Sequence, residues 1–160
     1  MSEQISFILD GDPASADVDG DTTLVDALRD QCSKTGTHVG CRNGDCGTCT
    51  VLIDDAPYKS CLILAYTAAG RTVETIQGLS DADGLHPVQQ AFVDAEGFQC
   101  GYCLAGPVLC TVALLRYDPS PTTQAVEEAL AGNLCRCTGY HNIAAAARKA
   151  CGLNNQGASP

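Results

Sequence analysis

Eleven cysteines in 160 residues set the chemistry open to this chain. Eight of them fall into two spaced sets. In the first, Cys41, Cys46 and Cys49 form a C-x4-C-x2-C run and Cys61 follows farther along, which is the plant-type spacing of four thiolates around a 2Fe-2S cluster. Glycines at 40, 44 and 47 punctuate the run. A loop that wraps an anionic cluster must bend tightly and aim backbone N–H groups at sulfur, and glycine reaches the angles this needs. Those N–H bonds, together with burial, set a cluster's reduction potential. A structural zinc site is the competing reading, because four thiolates also bind zinc well. Zinc loops usually come as two matched short knuckles, whereas here three cysteines crowd into nine residues.

The second set is Cys100 and Cys103, a C-x2-C pair, with Cys135 and Cys137, a C-x-C pair. By ligand type alone it would serve zinc or a cluster. A chain that carries one redox centre gives a second an evident purpose. Each pair is expected at a turn between two helices, so that two helix hairpins deliver two thiolates apiece, and nearby helix N-termini favour negative charge. Cys32, Cys110 and Cys151 lie in or beside apolar helical stripes and read as small packing hydrophobes. Arg42 and Arg136 adjoin ligands, where they offset cluster charge, form docking pairs or stay solvated. His86 reads as a helix-start residue; His38 and His141 are scattered, and a Rieske role would need histidine inside the ligand spacing. No G-x-G-x-x-G or G-x-x-x-x-G-K motif and no nucleophile–base constellation stands out. The residues point to electron transfer without a substrate-converting site.

These thiols need elements to hold them. The first half reads as β-rich. Ile5, Phe7 and Leu9 line one strand face, although Ile8 breaks the alternation; Asp10-Gly11 is a turn before a second strand near 14–18. A helix capped within 21–23 buries Leu24, Val25 and Leu28, and strands follow at 50–53 and 71–76 with a turn at Asp54-Asp55. A small mixed sheet crossed by one helix is the simplest assembly. The second half is helical: one helix opens at His86-Pro87 and ends at Gly97. Another has Pro107 in its first turn, a third runs from Thr122-Thr123 to Gly132, and a fourth from Asn142 to Cys151 is capped by Gly152. The boundary falls in the Gly, Ser and Asp cluster at 77–84, giving domains 1–78 and 79–160, and the tail 154–160 is expected to be disordered.

Composition narrows the setting. Hydrophobic residues make up 45% and aromatics 5%, so each half has a thin core that gains from a bound metal centre. The net charge of −10 argues against nucleic acid as a partner. No apolar run reaches membrane-spanning length, and the opening Met1-Ser2-Glu3-Gln4 lacks the basic region of a signal peptide. With an odd number of cysteines, a reducing cytoplasm that keeps thiolates free for metal is the expected location.

Three stretches carry a family resemblance: residues 40–51, Gln99-Cys100-Gly101-Tyr102-Cys103, and Gly132-Asn133-Leu134-Cys135-Arg136-Cys137-Thr138-Gly139-Tyr140. Over about residues 4–152 the chain resembles the small iron–sulfur subunit of the molybdenum hydroxylases, a family that includes xanthine dehydrogenase, aldehyde oxidoreductase and aerobic carbon monoxide dehydrogenase. The resemblance implies an α+β chain: a plant-ferredoxin-like β-grasp domain, then an all-α four-helix bundle with internal twofold symmetry. It implies that Cys41, Cys46, Cys49 and Cys61 bind the 2Fe-2S cluster nearer the flavin, and that Cys100, Cys103, Cys135 and Cys137 bind the one nearer molybdenum. Gln99 and Cys137 match residues that lie against the pterin. The implied partners are a large subunit holding molybdopterin, expected as its cytosine dinucleotide, and a medium subunit holding FAD, assembled as a dimer of heterotrimers. One departure stands out: the family's usual Thr-Pro-Gly after the C-x2-C pair is here Leu104-Ala105-Gly106, which keeps the glycine and rewrites the helix entry.

Two other functions compete with this relay subunit. A free-standing two-cluster ferredoxin would serve several redox enzymes, but the helical half adds apolar surface better explained by permanent burial. A zinc-bound scaffold would have no redox role at all.

Overall fold

The computed structural model describes residues 2–153; the expected disordered tail lies outside the described residues. Strands β1 (Glu3–Leu9) and β2 (Asp12–Val18) pair antiparallel about the Asp10-Gly11 turn. Helix α1 starts at Leu24–Asp26 under the Thr23 cap, whose hydroxyl accepts from the Asp26 N–H at 3.4 Å, and widens into π-type turns over Ala27–Gln31. Strands β3 (Thr50–Ile53), β4 (Ala56–Lys59) and β5 (Thr72–Glu74) complete a five-stranded sheet in the order β2-β1-β5-β3-β4. Only the β1–β5 pairing is parallel.

Alternation along the strands assigns each face. Ile5, Phe7 and Leu9 point with Val51, Ile53 and Val73 into a core closed by Leu24 and Leu28, while Ile8 is 38% exposed. Leu52, one residue out of phase, joins the helical core instead. That core is built by α2 (Pro87–Asp94), α3 (Ala105–Tyr117), α4 (Thr123–Leu130) and α5 (His141–Ala150), with Phe92, Val108, Leu109, Val112, Val126 and Ile143 at its centre. The two halves therefore share apolar packing across the sheet.

Most helix ends follow the cap chemistry of the sequence. His86 accepts from the Val88 N–H while Gln89 returns the bond to the His86 N–H, and Thr122 accepts from the Ala125 N–H. Gly152 closes α5 at φ +69°. Helix α3 begins at Ala105 and carries Pro107 in its first turn, as expected. Two features differ. Strand β4 is an element beyond the expected set. Strand β5 stops at Glu74 because the Asp10 carboxylate takes the Thr75 N–H at 2.6 Å and its hydroxyl at 2.9 Å.

Candidate metal centres

The β3–β4 hairpin builds half of the first site. Asp54 and Asp55 both sit at positive φ, 48° and 67°, in a two-residue turn whose twist matches the strands. Register Thr50↔Lys59 then brings together Cys49, just before β3, and Cys61, just after β4. Buried Ser60 locks the join by donating its hydroxyl to the Cys49 carbonyl at 2.6 Å. Cys41 and Cys46 close the other half across a loop with Arg42, Gly44 and Gly47 at positive φ. The Cys46 N–H reaches Cys41 Sγ at 3.4 Å, and the Thr48 hydroxyl lies 3.2 Å from Cys46 Sγ. Amides of Cys46 and then Asn43 pull the Cys41 thiol down to about 6. Cys61 is pushed the other way, to about 11, first by burial and then by its neighbour Cys49.

The second set repeats this logic with different parts. Cys100 and Cys103 lie between α2 and α3, and Cys135 and Cys137 between α4 and α5. The thiols meet crosswise. Cys137 and Cys100 are 3.4 Å apart, and Cys103 hydrogen-bonds with Cys135. Burial, then Cys135, pushes the Cys103 thiol up to about 12. Burial also opposes ionisation of Cys135, but hydrogen bonds from the Thr138 hydroxyl and N–H at 3.3 and 3.5 Å, the Cys137 amide and Cys103 together outweigh it and bring that thiol down to about 7.

This donor set fits a cluster. In the second set Cys100 and Cys135 are shifted toward ionisation and their partners Cys137 and Cys103 away from it, as two adjacent thiolates repel unless positive charge lies between them. A 2Fe-2S cluster would supply that charge, held by four thiols that the fold brings together in twos. Among the described residues, no three His, Cys, Asp or Glu side chains converge as ligands of a single ion. The first loop is also tight against its own thiol: a Cβ at Gly40 would lie 2.9 Å from Cys46 Sγ.

The two loops abut. The Leu134 N–H donates to the Cys46 carbonyl at 2.9 Å, so adjacent residues of the two sets are joined by one hydrogen bond. Gly47 and Gly106 approach so closely that a Cβ on either would strike buried Asn133. Asn133 Nδ2 in turn donates to Cys110 Sγ at 3.6 Å, while Cys32 and Cys151 pack against the two apolar cores. Arg42 forms a two-pronged pair with Asp26 at 2.8 and 3.0 Å, and Arg136 is exposed. Gln99, Cys100 and Cys137 are all exposed, and the Gln99 side chain has no hydrogen-bond partner among the described residues. Exposed Tyr102, Leu134 and Tyr140 belong to the second set's ligand segments, and exposed Leu62 follows Cys61. Sequence reasoning missed the sulfur-bonding roles of Thr48 and Thr138; a hydroxyl residue two or three places after a ligand cysteine is the signal that would have found them.

Residues 7–74 match the model of a 2Fe-2S iron-sulfur cluster binding domain, and residues 75–148 match that of a 2Fe-2S binding domain. The small subunit of nicotine 6-hydroxylase from Paenarthrobacter nicotinovorans is 45% identical over 140 residues, which is 88% of this chain and 84% of that one. The chain belongs to the small iron–sulfur subunits of the molybdenum hydroxylases. It is an electron-transfer subunit of an oxidoreductase. Quinoline 2-oxidoreductase from Pseudomonas putida superposes with a TM-score of 0.86 at 41% identity, covering 93% of this chain and 96% of that one. Aldehyde oxidoreductase from Desulfovibrio desulfuricans gives 0.88 at 34% identity, and there the match covers 93% of this chain but 17% of a longer polypeptide. No helix among the described residues is long and apolar enough to cross a membrane.

Proposed function

We propose that this chain relays electrons from a molybdopterin centre on a large subunit to FAD on a medium subunit, through two 2Fe-2S clusters of its own. The first is held by Cys41 with Cys46 and Cys49 with Cys61; the second by Cys100 with Cys137 and Cys103 with Cys135. When bound, each cluster supplies a one-electron carrier. The residues around it hold it, shield it and bias its charge. Amides of Asn43, Asp45 and Cys46 turned toward Cys41 favour the extra negative charge of the reduced state, as do the Thr138 donors at Cys135. The Leu134–Cys46 hydrogen bond gives a short bonded route from one ligand set to the other.

The observation that carries the reading is this pairing of thiols in two abutting loops. The division into domains 1–78 and 79–160 and a four-helix bundle with twofold symmetry belong to the same proposal, supported by two helix hairpins that each offer two thiols. Exposed Gln99 and Cys137 are the proposed contacts with the partner-held pterin. The apolar rim of Tyr102, Leu134 and Tyr140 favours permanent burial in a cytoplasmic complex, a dimer of heterotrimers, over a free ferredoxin. The purified complex should yield about four irons and four sulfides per copy of this chain, following four cysteines to each 2Fe-2S cluster, and should retain two larger subunits carrying molybdenum and flavin. Stoichiometric zinc in colourless protein, or a chain that purifies alone with its clusters intact, would reject it.

A further inference from the structure

The Leu134–Cys46 hydrogen bond ties only one of the second set's two ligand segments to the first loop. The other segment, 100–103, is tied by side chains. Tyr102, between Cys100 and Cys103, donates its hydroxyl proton to the Val39 carbonyl at 2.9 Å. Its own backbone carbonyl accepts from His38 Nδ1 at 2.8 Å, which places the ring proton on that nitrogen. The two rings stack with centroids 4.5 Å apart and planes 10° apart. The Tyr102 N–H faces Cys100 Sγ. One residue is thus held at its carbonyl, ring and hydroxyl. Tyr102 is 49% exposed, so filling a core does not explain it. Val39 stands two residues before Cys41 and packs against the small cluster of Val25, Cys49 and Cys61, which carries the link to the first set.

We propose that His38 and Tyr102 are positioning residues for electron transfer within this chain: their stacked, hydrogen-bonded pair fixes the spacing of the two thiolate sets and the aim of the Tyr102 amide at Cys100. The inference rests on the two-cluster reading above. The two hydrogen bonds flanking the stack hold to a narrow range of lengths, so the pair sets a distance as well as adding cohesion. An N–H aimed at ligand sulfur stabilises the more negative, reduced cluster and so raises its potential. Loosening the clasp should therefore spread the inter-cluster distance and lower the second cluster's midpoint. The Leu134–Cys46 bond is made by backbone alone and survives every side-chain change at 38 and 102.

The test uses the whole complex carrying His38→Ala, Tyr102→Phe, or both. Iron content and the two paramagnetic resonance signals of the unaltered complex come first; if two clusters are missing there, the two-cluster reading fails, whatever the clasp does. In the dithionite-reduced variants, the spin–spin splitting between clusters and the second cluster's midpoint potential are then measured. His38→Ala should diminish and broaden the splitting and lower that midpoint. Tyr102→Phe, which keeps the ring, should move both in the same direction by less. A His38→Ala complex with unchanged splitting and midpoint overturns the proposal. So does loss of the second cluster's iron in Tyr102→Phe, which would make Tyr102 an assembly residue.

Discussion

Asp10 sits in the β1–β2 turn at φ +52°, a conformation that Asp tolerates better than most residues. Its carboxylate is nearly buried, takes the Thr75 N–H and hydroxyl, and pairs with Lys34 at 2.7 Å. It also lies where a Cβ at Gly78 would stand. Asp10→Ala strands the Thr75 N–H inside the fold, so it should cost about 1–3 kcal/mol, read by denaturant melts, with both cluster signals intact. The sequence marks Asp10 as a turn residue only, because its partners lie far along the chain, Thr75 65 residues away. The cysteines are a contrast, since a ligand's identity is local to its spacing. Cys46→Ala should therefore erase the first cluster's resonance signal, whereas Cys32→Ala or Cys151→Ala should leave both signals and cost about 1 kcal/mol of packing. A lost signal in Cys32→Ala would show the ligand set to be wrong.

At the level of elements, what was legible followed period and caps. The alternation in β1, the Thr23, His86 and Thr122 starts and the Gly152 stop are all in the structure as local chemistry demands. The illegible parts are those set by contacts between elements. The π-type turns of α1 and the short edge strand β4, a Pro-containing stretch with three exposed residues, carry no strong periodic signal. The entry to α3 is the clearest case. Leu104-Ala105 leaves the helix start free to begin at Ala105, yet Gly106 is retained, and the reason lies across the interface. A Cβ there would collide with Asn133 Oδ1 and come within 2.5 Å of the Gly47 carbonyl oxygen. Neither atom belongs to a flexible side-chain end in open space: Asn133 is buried and Gly47 is backbone. Gly106→Ala should thus cost about 1–3 kcal/mol through overpacking, although alanine favours helix. Thermal melting would check it, and a variant as stable as the parent would mean that the two loops are free to separate.

At the scale of the whole molecule, the two halves are fastened at four places, one of them the stacked His38–Tyr102 pair with its bond to Val39. Leu52 leaves the sheet's own core for the helical one. Arg116 of α3 reaches Glu74 at 2.6 Å and Asp55 at 2.7 Å, tying a helix to strand β5 and to the β3–β4 turn. The cluster loops join through Leu134, Cys46 and the Gly47–Asn133–Gly106 contact. In the proposed ligand set the second cluster would cross-link residues 100–103 to 135–137 and hold Leu134 against the first loop, so its loss should be felt beyond the helices. Cys135→Ala removes that cross-link; by analogy with losing a disulfide, it should lower Tm by roughly 5–15 °C. In the proposed ligand set the first cluster keeps Cys41, Cys46, Cys49 and Cys61, so its visible absorbance should report on the sheet half, while far-ultraviolet circular dichroism weights the helices. If the halves unfold together, both probes should fall in one transition at the lowered temperature. An absorbance melt at the parent temperature beside an early circular dichroism melt would mean that these fastenings do not couple the halves.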